Sequence, residues 1–262
     1  MSAKEQFKSQ FLLKANDHTH IKKIIAVVSG KGGVGKSLVT SLAAITMQKA
    51  GYKCAILDAD ITGPSIPQIF GLDSKMYATD EGIIPQETYL GIKVVSANLM
   101  LEDPTEPIIW RSPMITSIIK QFYTEVAWGD VDYMFVDLPP GTGDVPLTVF
   151  QSLPLSGVII VTTPQELVSM IVEKSLRMAE TMEIPVVGIV ENMSYVESGK
   201  CGEHIHIFGE SHIDEISDKY GVPVLARIPM REGYAAAGDQ GRIEELIVPE
   251  IKAVADTAEK LG

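Results

Sequence analysis

The sequence predicts a three-layer α/β fold, a mostly parallel twisted sheet covered by helices on both faces, and two observations carry that prediction. Short apolar runs rich in β-branched residues recur along the chain, and stretches of helical spacing separate them. Continuously apolar strands suit a sheet buried on both faces, and alternation of strand with helix suits βαβ units and parallel pairing.

In chain order the strand candidates are "KIIAVV" (23–28), "KCAIL" (53–57), "IKVVSA" (92–97), "YMFV" (133–136), "GVIIVT" (157–162), "PVVGIV" (185–190) and "VPVLARI" (222–228). The helix candidate after the first strand, 36–50, carries Leu38, Val39, Leu42, Ile45 and Met47 at near-helical spacing and stops at Gly51. The stretch 70–91 reads as an irregular excursion or a small hairpin. Residues 1–20, with His18 and His20, read as a loosely held arm, and 21–262 as one domain, since no repeat, linker or low-complexity tract divides them. Cys54 falls inside a buried strand, where small apolar packing is its expected role.

Composition narrows the function. Thirty-four acidic against 22 basic residues in a chain of 262 give a net charge of −12, and the basic residues are not clustered, which argues against nucleic-acid or anionic-membrane partners. The first residues lack the apolar run of a signal peptide, and the apolar runs elsewhere are far short of a membrane span. With two cysteines in all, a disulfide framework is excluded and a reducing, cytoplasmic location is expected.

"GKGGVGKS", Gly30 to Ser37, fits the phosphate-loop pattern G-x-x-x-x-G-K-[ST] and lies between a buried strand and a helix start, as the mechanism requires. The chain is therefore expected to be a P-loop NTPase that takes ATP or ADP with Mg²⁺. Gly30, Gly32, Gly33 and Gly35 free the loop, with Val34 and Leu38, to turn backbone amides toward phosphate oxygens. Lys36 can reach the β and γ phosphates, Ser37 can ligate Mg²⁺, and the helix dipole favours the anion.

Two more strand ends complete the expected site. In "LDADITGPS" (57–65), Asp60 can orient or deprotonate the attacking water. In "YMFVDLPPGTGD" (133–144), Asp137 reads as the carboxylate that holds Mg²⁺ through water, while Gly141 and Gly143 make a loop able to sense a γ phosphate. The early lysine Lys31 is extra to the general pattern. "KGGVGKS" resembles the deviant Walker A motif of the MinD/ParA, nitrogenase-iron-protein and Mrp group of ATPases. The resemblance implies that Lys31 reaches across an ATP-sandwiched homodimer to the partner's nucleotide and helps stabilise the transferring phosphoryl group.

"LDADITGPSIPQIFGL", "WRSPMITSIIKQF", "WGDVDYMFVDLPPGTGD", "TTPQELV" and "GIVENMSY" together resemble the Mrp (ApbC) family of iron-sulfur carrier ATPases, over about residues 22–242. The resemblance implies ATP hydrolysis that times delivery of a cluster to apoproteins, with Asn192 hydrogen-bonding adenine and the "IPM" turn at Pro229 packing near the base. It also implies a C-x-x-C pair after "NMSY" whose thiolates from two subunits hold a bridging 4Fe-4S cluster. Here those positions are Ser198 and Cys201, so one thiol per chain remains. A dimer would bring together two copies of Cys201, His204 and His206, enough for a shared iron-sulfur cluster or Zn²⁺; the alternative is a loop that has lost its metal. Leu38 replaces a threonine common in relatives, and Arg231 and Glu232 stand where relatives often have aspartate and proline.

Two further functions compete with the carrier. A positioning ATPase of the MinD or ParA kind would call for a basic amphipathic tail or a basic surface, whereas "GRIEELIVPEIKAVADTAEKLG" is acidic and polar. A regulatory ATPase without metal keeps the nucleotide chemistry, and Ser198 is its sequence support.

Overall fold

The first buried strand organises the molecule. In the computed structural model, which describes residues 11–61, 63, 65–100, 112–165, 168–198 and 203–261, this strand is β1 (Thr19–Ser29). It is followed by β2 (Cys54–Asp58), β3 (Tyr77–Thr79), β4 (Gly82–Ile84), β5 (Gln86–Glu87), β6 (Lys93–Ser96), β7 (Gly129–Asp137), β8 (Gly157–Thr162), β9 (Val186–Asn192), β10 (Val196–Glu197), β11 (His204–Ile205) and β12 (Val224–Ile228). The helices are α1 (Lys36–Lys49), α2 (Ile66–Phe70), α3 (Ser112–Thr124), α4 (Asp144–Ser152), α5 (Val168–Thr181), α6 (Ile213–Tyr220), α7 (Glu232–Asp239) and α8 (Lys252–Ala258).

One sheet runs in the order β12-β9-β8-β1-β7-β2-β6-β5. Its pairs are parallel except at the β5 edge, which is antiparallel to β6. The three-layer α/β expectation holds, and β1 shows why. Successive strand side chains point to opposite faces. Ile24, Ala26 and Val28 pack with Phe122, Phe150 and Leu176, from α3, α4 and α5, and with Trp128 just before β7, while Ile25 and Val27 pack with Leu42, Met47, Phe70 and Val254, from α1, α2 and α8. Both faces are dry, so the strand must be apolar throughout. Among the described residues every buried side-chain nitrogen or oxygen has a hydrogen-bond partner.

Because the central strands are parallel, their carboxyl ends share one edge, and the loops leaving β1, β2, β7, β8 and β9 gather there. The stretch 70–91 contains the β3–β4 hairpin and then the edge strand β5.

The expected loose arm differs from the structure. β1 starts at Thr19 rather than residue 23, and the chain before it is anchored: Leu13 donates its N–H to the Ser152 carbonyl at 2.8 Å, and the Thr19 hydroxyl donates to the Val126 carbonyl at 3.0 Å. Backbone and side-chain hydrogen bonds, which apolar periodicity does not register, hold residues 13–20 against the domain, with His20 inside β1. The rest of the proposed arm, 1–10, lies outside the described residues.

Cys54 is packed in β2 at 2% exposure, and burial, reinforced by the charge of Asp132, pushes its thiol up to about 12. Only the thiolate reacts with alkylating agents. Native protein treated with iodoacetamide at pH 8 is therefore expected to leave Cys54 unmodified, and denaturant should expose it. Rapid labelling of Cys54 in the native protein, read by peptide mass spectrometry, would contradict this packing.

Candidate nucleotide site

The loop after β1 is shaped by two left-handed glycines and held from both sides. Gly33 and Gly35 have φ of 80° and 77°, a region costly for side-chain-bearing residues. A Cβ on Gly35 would also lie 2.2 Å from Nδ2 of Asn192. That amide donates to the Val34 carbonyl at 2.9 Å, while the Gly141 N–H donates to the Ser29 carbonyl at 2.8 Å. β9 and the loop after β7 therefore both hold the phosphate loop in its open curve. Gly35 is also the N-cap of α1; no side chain caps that end, and no acidic residue lies in the first turn. The amides at the helix start are thus left to a ligand, with the positive end of the dipole behind them.

Above this loop is a cavity of ≈ 330 Å³. Of the residues the sequence singles out, Lys31, Gly32, Gly33, Val34, Gly35, Lys36, Ser37, Leu38 and Asp60 all line it, and Gly30 leads into the loop from Ser29. Asp137 forms its buried floor. The Asp137 carboxylate accepts from Lys36 Nζ at 2.7 Å, from the Ser37 hydroxyl at 2.7 Å and from the Thr40 hydroxyl at 2.6 Å. Asp60 Oδ2 lies 3.9 Å from the same Lys36 Nζ. Lys31 points another way within its own chain, donating from Nζ to Gln165 Oε1 at 3.2 Å.

Asp58, the register neighbour of Asp137 across β2 and β7, belongs to the same network although sequence reasoning passed over it. It is fully buried, accepting from the Ser96 hydroxyl at 3.0 Å and from the Asp60 N–H at 3.1 Å. Burial raises its carboxyl well above the ordinary range, and the neighbouring charge of Asp137 raises it further, against the opposing pull of Lys36 and the Ser96 hydroxyl. The signal was present in "LDADITGPS", where Asp58 is the last residue of an apolar strand and Asp60 the second beyond it. Thr40 was also missed; it lies one helical turn past Lys36 and so faces the same floor.

A second cavity, ≈ 670 Å³, adjoins the first and shares Leu38, Ser65 and Ile69 with it. Asn192, Met193, Val196, Pro229, Met230, Arg231 and Tyr234 supply much of its wall. Asn192 and Pro229, read from the resemblance as base-contacting residues, are therefore brought together here. Asn192 is buried, and its amide nitrogen is engaged by the phosphate loop itself.

His204 and His206, read as ligands of a cluster or Zn²⁺, line neither cavity. Cys201 lies outside the described residues. His204 is in β11, stacked on Tyr195 with ring centroids 3.8 Å apart and planes 16° from parallel, and His206 follows; both are exposed. Among the described residues no three His, Cys, Asp or Glu side chains cluster closely enough to hold a metal ion.

The glycine geometry has a direct consequence. Gly35→Ala would force an L side chain into the left-handed region and push Asn192 off the Val34 carbonyl. It is expected to weaken ADP binding by about tenfold or more and to destabilise the fold by about 1–2 kcal/mol, from the backbone cost alone. Calorimetric titration and thermal unfolding check both; wild-type values would sink the account.

Similarity to known proteins agrees with this geometry. Residues 20–261 match the family model described as ParA, NUBPL iron-transfer P-loop NTPase. An iron-sulfur cluster carrier protein from Clostridium perfringens is 43% identical over 239 residues, covering 88% of this chain and 84% of the relative; one from Pyrococcus horikoshii is 44% identical over 250 residues, covering 90% and 84%. A nucleotide-binding protein from Archaeoglobus fulgidus, solved in complex with ADP, superposes with a TM-score of 0.80 at 44% identity and covers 95% of each chain. The cell-division ATPase MinD of Pyrococcus furiosus shares the fold, with a TM-score of 0.65 at 19% identity over 90% of this chain and 97% of its own. The chain belongs to the ParA-type, NUBPL iron-transfer family of P-loop NTPases.

Proposed function

We propose that the protein is a cytoplasmic homodimer that binds ATP with Mg²⁺, hydrolyses it slowly, and carries an iron-sulfur cluster to apoproteins. The observation that carries the nucleotide half is the continuity of the two cavities across Leu38, Ser65 and Ile69: a loop built for phosphates opens directly into a larger, mainly apolar chamber of a size to take the base and ribose. The cargo half rests on the relatives that bear the carrier name and on Cys201.

The chemistry follows from the residues at the floor. Loop amides and the α1 dipole receive the phosphates, and Lys36, released from Asp137, neutralises charge on the terminal pair. The Ser37 hydroxyl would ligate Mg²⁺ and the adjoining Asp137 carboxylate would hold it through water; the ion when bound would offset charge on the phosphate oxygens. Asp60, in the phosphate cavity beside Lys36, orients the attacking water and accepts its proton. Gly141, tethered to Ser29 at φ 91°, passes the state of the γ phosphate to the loop after β7. Lys31 exchanges Gln165 for the nucleotide of the partner when the dimer closes, and Asn192 and Pro229 border the base.

The cluster is cargo, held between two copies of the hairpin loop by Cys201, with His204 and His206 as further donors to it or to Zn²⁺. Ser198 in place of the first family cysteine favours a second reading, a regulatory ATPase without metal, and direct analysis separates the two.

Lys36→Ala is expected to lower ATP hydrolysis by about 100-fold or more and to weaken ADP binding. Asp60→Asn should keep ADP binding and lose hydrolysis by about 100-fold, and Lys31→Ala should keep binding while losing ATP-dependent dimerisation in light scattering. Undiminished hydrolysis in Asp60→Asn would remove it from the mechanism. For the cargo, anaerobically purified protein analysed for iron, sulfide and zinc should hold about two irons per chain if two subunits share a 4Fe-4S cluster. Cys201→Ala should lose them. A metal-free protein that cannot be reconstituted yet binds ATP would leave the regulatory reading.

A further inference from the structure

The hairpin that leads into the Cys201 loop is also a wall of the second cavity. Val196, in β10, lines that cavity together with Arg231. The next residue, Glu197, has its Oε2 3.6 Å from Nη2 of Arg231. The guanidinium is held by two other partners, donating from the same Nη2 to Glu250 Oε1 at 2.7 Å and from Nη1 to the Tyr234 hydroxyl at 2.6 Å, so Glu197 is the contact between a fixed anchor and a two-residue strand. Two backbone hydrogen bonds set the base of the hairpin against the end of β12: Ser194 N–H to the Ile228 carbonyl at 2.9 Å and Met230 N–H to the Tyr195 carbonyl at 2.8 Å. Beyond them, Glu197 pairs with His204, and the Ser198 N–H reaches the Glu203 carbonyl at 2.9 Å.

We infer that the β10–β11 hairpin senses the base: occupancy of the second cavity by a nucleobase, rather than occupancy of the loop by phosphate, is passed through Val196 and the Arg231–Glu197 pair to the hairpin that bears Cys201 and His204. This rests on the nucleotide reading above. A base in the cavity packs on Val196 against the already fixed Arg231 and so removes freedom from β10, which has no sheet neighbour among the described strands besides β11. Binding free energies are reciprocal, so a ligand held by the hairpin loop tightens nucleotide binding by the same factor. The Arg231–Glu197 pair is half-exposed, which limits its share to about fivefold. Arg231 thus acts as a positioning residue, and the hairpin needs no metal to respond.

Hydrogen exchange on the full chain tests this with three samples: ligand-free, saturated with Mg-ADP, and saturated with Mg-pyrophosphate, which has phosphates and no base. Both ligands should slow exchange in the phosphate loop, while ADP alone should slow the amides of β10, Ser198 and β11, by severalfold. Glu197→Gln should lose up to about fivefold of that hairpin protection while the loop stays protected at saturating ADP. Equal hairpin protection by pyrophosphate, an unchanged hairpin beneath a protected phosphate loop, or a Glu197→Gln protein indistinguishable from wild type would each overturn the inference. No protection by ADP at either segment would overturn the nucleotide reading and this inference with it.

Discussion

The buried contact between Lys36 and Asp137 is the constraint on which the rest of the site depends. The two side chains are 6% and 0% exposed and 2.7 Å apart, and they tie the start of α1 to the end of β7 beneath the phosphate loop. A charge so far from water survives only when paired, and removing one member of such a pair costs about 3–5 kcal/mol. Buried ion pairs often add little net stability over well-packed apolar side chains, so the pair is best understood as a store of charge. An anion entering the loop competes with Asp137 for the ammonium group, and the freed carboxylate remains bounded by the hydroxyls of Ser37 and Thr40. In the proposed mechanism, ligand entry is thereby coupled to a rearrangement of the floor.

That floor lies in an acidic protein. With a net charge of −12, long-range steering works against a polyphosphate, so attraction must be local. It comes from Lys36, the uncapped amides of α1 and the helix dipole, all at one cavity. Asp58 pulls the other way. Burial and the charge of Asp137 disfavour its ionised form, while the Ser96 hydroxyl and the Asp60 N–H each satisfy one of its oxygens.

Asn192 extends the constraint outward. Its amide closes the phosphate loop, its position ends β9, and within a few residues the same segment becomes the β10–β11 hairpin. Glu191, next to it and 1% exposed, accepts hydrogen bonds from the hydroxyls of Ser194 and Ser211, which lie on the two legs of the excursion carrying the hairpin. Loop shape, a wall of the second cavity and the hairpin root are therefore consecutive along a single stretch of chain.

Much of this was legible in the amino-acid order. Apolar runs marked the strands because two dry faces exclude polar residues from β1, β2, β7 and β8, and the phosphate loop was legible because glycine, lysine and serine at fixed spacing answer to a local geometry. Periodicity set the start of β1 late, since residues 13–20 are held by hydrogen bonds to Ser152 and Val126, more than 100 positions away. The partners of Asp58, Thr40 and Arg231 were likewise hidden, because Ser96, Asp137 and Glu197 come close only once the sheet order is set. By itself, then, the sequence determined the strands, the phosphate loop and the kind of ligand it suits, all consequences of short-range chemistry. Only the tertiary structure decided which buried carboxylate holds Lys36, which amide closes the loop, and which hairpin walls the second cavity, because each is a contact between segments that parallel pairing brings to one edge of the sheet.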